Sequence, residues 1–403
     1  MSRTRKHSVP VRLLLALAIA AGMAAAPGGA VVPLRLGLVL PVDCNTSVDD
    51  IAAVQDAVDA AGDGDTIQLS GVCDFSGAKP HGGDIASITA TAVLIRAGSP
   101  FSAGLTIESA EDARATVLGS GTQTAFMVAP GNDNVTIRGL NLLGFARPIV
   151  VWSASNTTIG DAAATSAPSA DGNRIAGDAM NSAVLAIGNN KDASGATPLT
   201  AVSYGSGSAR SALLANNGRL TNLRVLGNYI TYGAVDAPDG QTRDVVAIDV
   251  RQRNQGNVDG VEIAHNAVGF LTASFPSFNI NAVRVHAHSG DPNYHLSNVS
   301  IRNNNLGRLE ELGDPVADVN AGGRAGIVLV RARNFEIAGN GVRVLQTPMP
   351  IDMPGGGIVV SDSSDGVIRG NGVISVADSS GIAADMGAIA VVDDVNVLFG
   401  SPA

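Results

Sequence analysis

The stretch VEIAHNAVGF at residues 261–270 combines a short alternating apolar segment, an asparagine and a second apolar segment. Nearly the same pattern returns four more times. The related stretches are LRVLGNYITYG at 223–233, VSIRNNNLGRL at 299–309, FEIAGNGVRVL at 335–345 and GVIRGNGVISV at 366–376. Their aligned asparagines are Asn228, Asn266, Asn304, Asn340 and Asn371, at spacings of 38, 38, 36 and 31 residues. A repeat of this length is typical of a solenoid, in which each structural unit stacks on the next.

A second set of apolar segments alternates with the asparagine segments. Its members are IVVW (149–152), AVLAI (183–187), AIDVR (247–251), AVRVH (282–286), GIVLV (326–330), GIVVS (357–361) and AIAVV (388–392). Each repeat therefore predicts at least three short strands with their turns. A propeller would need a longer, steadier period with an aromatic signature, and a sandwich would need more two-residue Asn-Gly hairpin turns. A parallel β-helix fits the pattern best.

The composition agrees with stacked strands. Hydrophobic residues make up 45% of the 403 residues, but aromatic residues make up only 3%. The apolar side chains are therefore mostly Val, Ile, Leu and Ala, which suit pleated sheets. The 48 glycines, about 12% against an average of roughly 7%, indicate many tight turns.

One helical segment precedes the repeats. Ile51, Val54 and Val58 follow helical spacing, and Gly62 ends the pattern before the strand-like sequence TIQLSG. The sequence predicts a helix over about 48–61. Its apolar stripe needs a surface to cover, and we expect it to cap the open end of the strand stack.

With the stretch DAVDAAGDGDTIQL and the repeated V-x-I-x-x-N-x-V units, the chain resembles the right-handed parallel β-helix proteins of pectin lyase-like architecture, with PbH1-type repeats. The resemblance covers residues 44–403. It implies an all-β, right-handed parallel β-helix solenoid with an N-terminal capping helix. For function it implies binding or modification of an extended polysaccharide or cell-surface glycan, by a polyuronide lyase-like or glycoside hydrolase-like activity. The alternative is a non-catalytic cell-surface or matrix protein.

The first 26 residues have the pattern of a signal peptide. Arg3, Arg5, Lys6 and Arg12 form a basic region, and the apolar run LLLALAIAAGMAAA leads to a small-residue cleavage site after Ala26. We expect a connector at 27–43, the β-helix domain at 44–403 and no membrane span after cleavage. The predicted location is secreted, periplasmic or at the cell surface.

Charge and cysteine content narrow the possible partners. The chain has a net charge of −10, and its predicted leader carries four of the 26 basic residues. This balance disfavours nucleic acid, which requires a basic face. Cys44 and Cys73 are the only cysteines, and in an exported chain they predict a disulfide.

The repeated asparagine is explained by stacking. Neighbouring coils lie ~4.8 Å apart, so an asparagine repeated once per coil meets its own copies above and below. An amide can donate to and accept from the next amide in such a column, and asparagine tolerates the left-handed backbone of a sharp corner. We therefore assign the asparagine ladder to structure.

Chemistry is then expected at outward strand positions. If the strands at 247–251 and 282–286 are neighbours, Asp249 lies beside Arg284 and Arg251 beside His286. Later repeats place mainly aliphatic residues at the same positions. These four residues are the predicted catalytic candidates, and an exposed salt-bridged strand is the structural alternative.

Other residues are candidates for contacting a glycan. His288 continues the same strand face, and Trp152 is outward in the alignment, where a sugar could stack on it. Phe275 and Phe278 lie in an insertion that could form the wall of a groove.

No residue pattern requires a cofactor, and calcium is the one candidate. Pectate lyases of this architecture use an arginine base with calcium held by carboxylates, and Asp249 and Asp244 beside Arg251 or Arg284 could imitate that arrangement. Asp291 is a further metal candidate, because it follows the two outward histidines His286 and His288. The polygalacturonase signatures are absent from the sequence, and DPNYH at 291–295 departs from the epimerase pattern Asp-Pro-His-Asp. The last stretch, DDVNVLFGSPA, predicts an unpaired strand edge through which an oligomer could form.

Overall fold

A computed structural model describes one compact unit of the chain. Its described residues are 37–77, 91–95, 103–110, 113–121, 123–130, 132–177, 180–189, 218–232, 234–235, 245–253, 256–273, 280–288, 293–311, 324–346, 356–377, 389–392 and 395–400. Within these ranges the chain forms 29 β-strands and one α-helix. That helix is too short to span a membrane, and the described residues contain no other.

Three strands make up each coil. In one coil these are β16 (Val245–Arg253), β17 (Asn257–Ala264) and β18 (Ala267–Ala273). Each of them pairs in parallel with its counterpart in the next coil. The fold is therefore a parallel β-helix with three faces, as the repeat pattern predicts.

The strands stack on three faces, which we call sheets 1, 2 and 3. Sheet 1 is separate, whereas sheets 2 and 3 are joined through β2, which pairs with both β4 and β5. Sheet 1 contains β3 (Thr91–Ile95), β6 (Thr124–Val128), β9 (Ile149–Trp152), β12 (Ser182–Asn189), β16, β19 (Ile280–Ala287), β22 (Arg324–Val330), β25 (Gly356–Ser361) and β28 (Ile389–Val392). Sheet 2 contains β1 (Val39–Asn45), β2 (Thr66–Asp74), β4 (Leu105–Ser109), β7 (Val135–Arg138), β10 (Thr158–Gly160), β13 (Arg219–Leu226), β17, β20 (Leu296–Arg302), β23 (Ala332–Ala338), β26 (Ser364–Arg369) and β29 (Val395–Gly400). Sheet 3 begins at the end of β2 and contains β5 (Thr116–Leu118), β8 (Asn141–Leu143), β11 (Arg174–Gly177), β14 (Tyr229–Tyr232), β15 (Ala234–Val235), β18, β21 (Asn305–Glu311), β24 (Gly341–Gln346) and β27 (Gly372–Ala377).

The core lies inside the coils because alternate residues of each strand point inward. One cluster of buried hydrophobic residues, most of them aliphatic, extends from Val42 to Ile368. In the stretch VEIAHNAVGF at residues 261–270, Val261 is 2% exposed and Ile263 is wholly buried. Glu262 between them is partly exposed on the outer face.

The predicted helix is present as α1 (Asp50–Ala60). Ile51, Val54 and Val58 are buried in the same core cluster as the strands. At the start of the helix, Asp50 accepts backbone N–H groups from Ser47 at 3.1 Å and from Asp74 at 2.9 Å. The helix is therefore confirmed, and its role as a cap stays a prediction.

The strand stack begins earlier than predicted. Strand β1 starts at Val39, inside the expected connector 27–43, and pairs with β2 along its whole length. Cys44 on β1 and Cys73 on β2 form the predicted disulfide. The signal peptide expected at 1–26 lies outside the described residues.

The asparagine ladder is confirmed and is longer than the repeat indicated. Its six buried or partly buried members are Asn173, Asn228, Asn266, Asn304, Asn340 and Asn371. Each amide donates to the side-chain oxygen of the next, as from Asn266 to Asn304 at 3.0 Å. At five of the six positions the left-handed backbone belongs to the residue before the asparagine, such as His265 with φ 57° or Gly227 with φ 68°. The asparagine side chains therefore stabilise the corner through their hydrogen bonds inside the coil, whereas the preceding residue adopts the backbone conformation of the turn.

Candidate functional site

Side chains on the outer face of sheet 1 form columns across paired strands. The first column contains Leu94, Met127, Val150, Leu185, Asp249, Arg284, Val328 and Val359. The second contains Trp152, Ile187, Arg251, His286, Val330 and Ser361. A third contains Asn189 and Arg253, and His288, the residue that follows β19, donates its N–H to the carbonyl of Gln252 beside them. In these described columns, charged residues and histidines come from β16, from β19 and from the residue after β19. We call these six residues the charged cluster: Asp249, Arg251, Arg253, Arg284, His286 and His288.

The predicted pairing within the charged cluster is confirmed. Asp249 lies opposite Arg284, and Arg251 lies opposite His286. Arg284 donates to Asp249 from Nη2 to Oδ2 at 2.8 Å and from Nε to Oδ1 at 3.1 Å. Arg251 also donates from Nε to Oδ2 of Asp249, at 2.7 Å. One carboxylate therefore holds two guanidinium groups in place.

The four residues lie on the outer face of sheet 1, as predicted, but two of them are buried there. The side chain of Asp249 is wholly buried, and that of Arg284 is 8% exposed. Arg251 and His286 retain exposed fractions of 17% and 16%. Asp249 therefore positions its partners and cannot itself contact a polymer, whereas Arg251 and His286 reach the surface.

The charge of Asp249 is maintained by its partners. Burial by itself would raise the pKa of this carboxyl group, because it disfavours the charged form. The nearby guanidinium groups of Arg251 and Arg284 outweigh burial and hold the pKa of Asp249 well below its usual range. The carboxylate is therefore ionised throughout the neutral pH range.

The two histidines of the cluster are neutral at pH 7. Burial lowers the pKa of His286 well below its usual value. Partial burial, followed by the charges of Arg253, Arg251 and Arg284, lowers the pKa of His288 to about 4. The Nε2 atom of His286 lies 3.8 Å from Oδ1 of Asp249 and has no hydrogen-bond partner among the described residues. Its ring centre lies 4.5 Å from that of His288.

Arg253 belongs to this cluster although the sequence analysis did not identify it. It shares the outward face of β16 with Asp249 and Arg251, since alternate residues of a strand point to one side. It lies opposite Asn189 on β12 and adds positive charge near His288. The same alternation that identified Arg251 would have identified it, two positions further on.

The expectation of an open sugar platform at Trp152 is wrong. The indole does lie on the outer face of sheet 1, but it is only 2% exposed. It packs in a second apolar cluster with Leu94, Met127, Ala129, Val150, Leu185 and Ile187. Its Nε1 donates to the carbonyl of Asn189 at 3.4 Å. Trp152 therefore has a packing role.

The remaining predicted site residues lie outside the described part of the chain. They are Asp244, Phe275, Phe278 and Asp291. Within the described ranges, no group of three or more His, Cys, Asp or Glu side chains is placed to hold a metal ion. The predicted contributions of these four residues stay predictions.

Comparisons with known proteins do not assign the chain to a family. No protein-family model matches the sequence. No curated protein matches it either. Among solved structures, an alginate lyase from Paenibacillus sp. str. FPU-7 is similar over 89% of this chain and 99% of that chain, with 14% identity and a TM-score of 0.34. A likeness at that score supports no statement about activity, so the fold assignment rests on the strand pairing itself.

Proposed function

We propose that the chain is an exported β-helix protein that binds an extended polyuronide at the charged cluster and cleaves it by β-elimination. The observation that carries this proposal is the pair of arginines, Arg251 and Arg284, bound to the buried carboxylate of Asp249 on the outer face of sheet 1. The disulfide between Cys44 and Cys73 supports export, because such bonds persist in oxidising compartments.

Local charge favours an anionic polymer. Arg251 and Arg284 face a single carboxylate, that of Asp249, and the two histidines are neutral at pH 7. The cluster is therefore locally positive in a chain whose net charge is −10. Guanidinium groups bind carboxylates through paired hydrogen bonds, so a uronate ring is a fitting ligand.

The solenoid also suits an extended ligand. Strands of sheet 1 succeed one another at about 4.8 Å, so a polymer lying along the stack would meet several coils. Arg251 on β16 and His286 on β19 come from neighbouring coils and both reach the surface. Such a polymer would therefore contact them together.

The chemistry requires a neutralised carboxylate and a base. β-Elimination removes the C5 proton of a uronate, breaks the C4–O bond and leaves a C4=C5 double bond, while the departing sugar oxygen takes up a proton. Arg251 would pair with the uronate carboxylate and stabilise the charge that develops beside C5. His286, unprotonated at neutral pH, would accept the C5 proton. Asp249 and Arg284 would hold these groups in position.

The described residues do not fit a calcium site. Asp249, the one carboxylate of the cluster, is bound by Arg251 and Arg284. A divalent cation placed there would be repelled by these guanidinium groups. The proposal therefore uses no metal ion.

The second candidate function is a non-catalytic surface protein that only binds glycans. The complete burial of Asp249 favours this function, because an ion pair with only a structural role would be buried in the same way. It is favoured too by the aliphatic residues Val328, Val330 and Val359, which occupy the same columns in later coils.

A binding and cleavage assay with Arg251→Ala separates these functions. Polygalacturonate and alginate are the probes, and Arg369→Ala is the matched control because Arg369 is an exposed arginine paired with Glu336 on sheet 2. We expect Arg251→Ala to weaken binding at least tenfold and to abolish ultraviolet-absorbing unsaturated products, with the control unchanged. Binding without such products would support the non-catalytic function. Equal binding by both variants would exclude the charged cluster as the site.

A further inference from the structure

A polar cleft of about 380 Å³ lies at the corner between sheets 2 and 3. It is separate from the charged cluster, which occupies the outer face of sheet 1. Its polar lining consists of Glu108, Ser109, Arg114, Arg138, Gly139 and Asp171. Nothing in the proposed function uses these residues.

An insertion builds one wall of the cleft. The connection between β10 and β11 is the whole segment 161–173. The equivalent connection between β13 and β14 in the next coil consists of only two residues, Gly227 and Asn228. The guanidinium of Arg114 donates to the backbone carbonyls of Ala170 and Gly172, which fixes the end of the insertion.

The insertion also packs tightly against the next coil. The N–H of Ser169 donates to the carbonyl of Gly227 at 2.9 Å. A Cβ atom on Gly172 would lie 1.8 Å from that same carbonyl oxygen, so only glycine fits there. The wall is therefore held from both sides by contacts within the chain.

An ion pair forms the floor of the cleft. Arg138 donates to Oε2 of Glu108 from Nε at 2.8 Å and from Nη2 at 2.6 Å. Gln68 donates to the other oxygen, Oε1, at 3.1 Å. The side chains of Arg138 and Glu108 keep exposed fractions of 42% and 16%, which leaves both accessible to a ligand.

We propose that this cleft binds a neutral sugar of mono- or disaccharide size. The lining balances two guanidinium groups against two carboxylates, so it gives no net attraction to a polyanion or a polycation. Carboxylates accept from sugar hydroxyls, and guanidinium groups donate to them. The volume lies at the low end of the roughly 300–1,000 Å³ that small-molecule sites occupy.

The affinity is expected to be weak. The lining contains no aromatic ring on which a sugar could stack, and stacking supplies much of the apolar contact in tighter sites. We expect dissociation constants in the millimolar range. Saturation-transfer NMR on the full chain is suited to that range, with glucose, galactose, mannose, maltose and cellobiose as probes. Glucuronate and inorganic phosphate serve as charged comparators.

The test compares two glutamates in similar ion pairs. Glu108→Gln is expected to weaken sugar binding at least fivefold, because the floor of the cleft loses its charged acceptor. Glu336→Gln is the control, since Glu336 pairs with Arg369 on the outer face of sheet 2 and does not line the cleft. Arg114→Met should also weaken binding by releasing the wall.

Several outcomes would overturn the proposal. They are the absence of sugar binding in the parent protein, equal losses in the two glutamine variants, or tighter binding of glucuronate or phosphate than of neutral sugars. Exposed ion pairs contribute little to stability, so matching thermal unfolding curves will show that the glutamine variants are folded. Arg251→Ala should keep the saturation-transfer signal of the neutral sugars, because Arg251 does not line the cleft. A failure of the cleft proposal is therefore distinguishable from a failure of the polyuronide proposal.

Discussion

Asp249 and Arg284 face each other across β16 and β19, joined by two hydrogen bonds of 2.8 and 3.1 Å, and both residues are buried. Burying two charges carries a desolvation cost that only their mutual contact and further hydrogen bonds offset. Aliphatic residues occupy the same column on either side, at Leu185 and Val328. The ion pair is therefore a local exception to apolar stacking.

Replacing the carboxylate should destabilise the protein strongly. In Asp249→Asn the guanidinium groups of Arg251 and Arg284 lose their counter-charge. We expect the free energy of unfolding to fall by about 3–5 kcal/mol, the usual cost of breaking a buried ion pair. Urea denaturation followed by circular dichroism measures the change.

An exposed ion pair provides the control for that variant. Glu336 pairs with Arg369, and the two side chains have exposed fractions of 35% and 52%. Glu336→Gln should cost no more than about 1 kcal/mol, because surface pairs contribute little. Similar losses in the two variants would show that burial does not set the strength of the Asp249 pair.

Stability should decrease as the pH falls from 7 to 5. His286 and His288 have lowered pKa values in the folded chain, the latter at about 4, so both stay neutral while an unfolded histidine takes up a proton near pH 6.5. The unfolded state then binds more protons. The two neutral histidines therefore contribute fully to the free energy of unfolding above about pH 7. This contribution is lost as the pH falls through 6.5 towards the pKa values of the histidines in the folded chain. Asp249, whose pKa is depressed, loses its contribution only below about pH 4.

The histidine contribution can be isolated with His286→Gln. Denaturation midpoints measured at pH 5, 6 and 7 should vary less in this variant than in the parent protein. Asp249, Arg251, Arg284 and His288 remain in place as the neighbouring charged or titratable groups. An unchanged pH dependence would mean that the burial of His286 does not couple protonation to folding.

The fold could be predicted because its signals are local and repeated. Alternation at Val261 and Ile263 identifies the inward face, and the recurring Asn266 position identifies the coil length. The pairing of Asp249 with Arg284 followed from the same register. The spacing of the other asparagines does not reveal Asn173, because residues 161–172 separate it from the strand β10 that precedes it.

Burial on the outer face could not be predicted in this way. The alternation places Trp152 and Asp249 outside the coil, and they do lie there, yet neither is accessible. Strand periodicity reports the direction of a side chain and not what else covers it. Arg114 likewise shows no motif, because its role depends on an insertion that is distant in sequence.

Removing the disulfide should lower stability by a moderate amount. Cys44 and Cys73 are separated by 29 residues and join β1 to β2 across α1. Closing a loop of that length is worth about 3 kcal/mol in the chain-entropy model. The double variant Cys44→Ala, Cys73→Ala should show this loss in urea denaturation under oxidising conditions. Addition of a reductant should bring the parent protein close to the variant, and a variant as stable as the oxidised parent would contradict the prediction.

Two adjacent asparagines allow the ladder to be tested directly. Asn304 is 2% exposed, donates to Asn340 and to the carbonyl of Ile263 at 2.9 Å, and accepts from the backbone and amide nitrogens of Asn266 at 3.0 Å. Asn304→Ala leaves these buried groups without partners, at about 1–3 kcal/mol each. Asn305 is exposed, so Asn305→Ala should change stability by less than about 0.5 kcal/mol. Urea denaturation of both variants provides the measurement, and equal effects would mean that the ladder does not stabilise the corner.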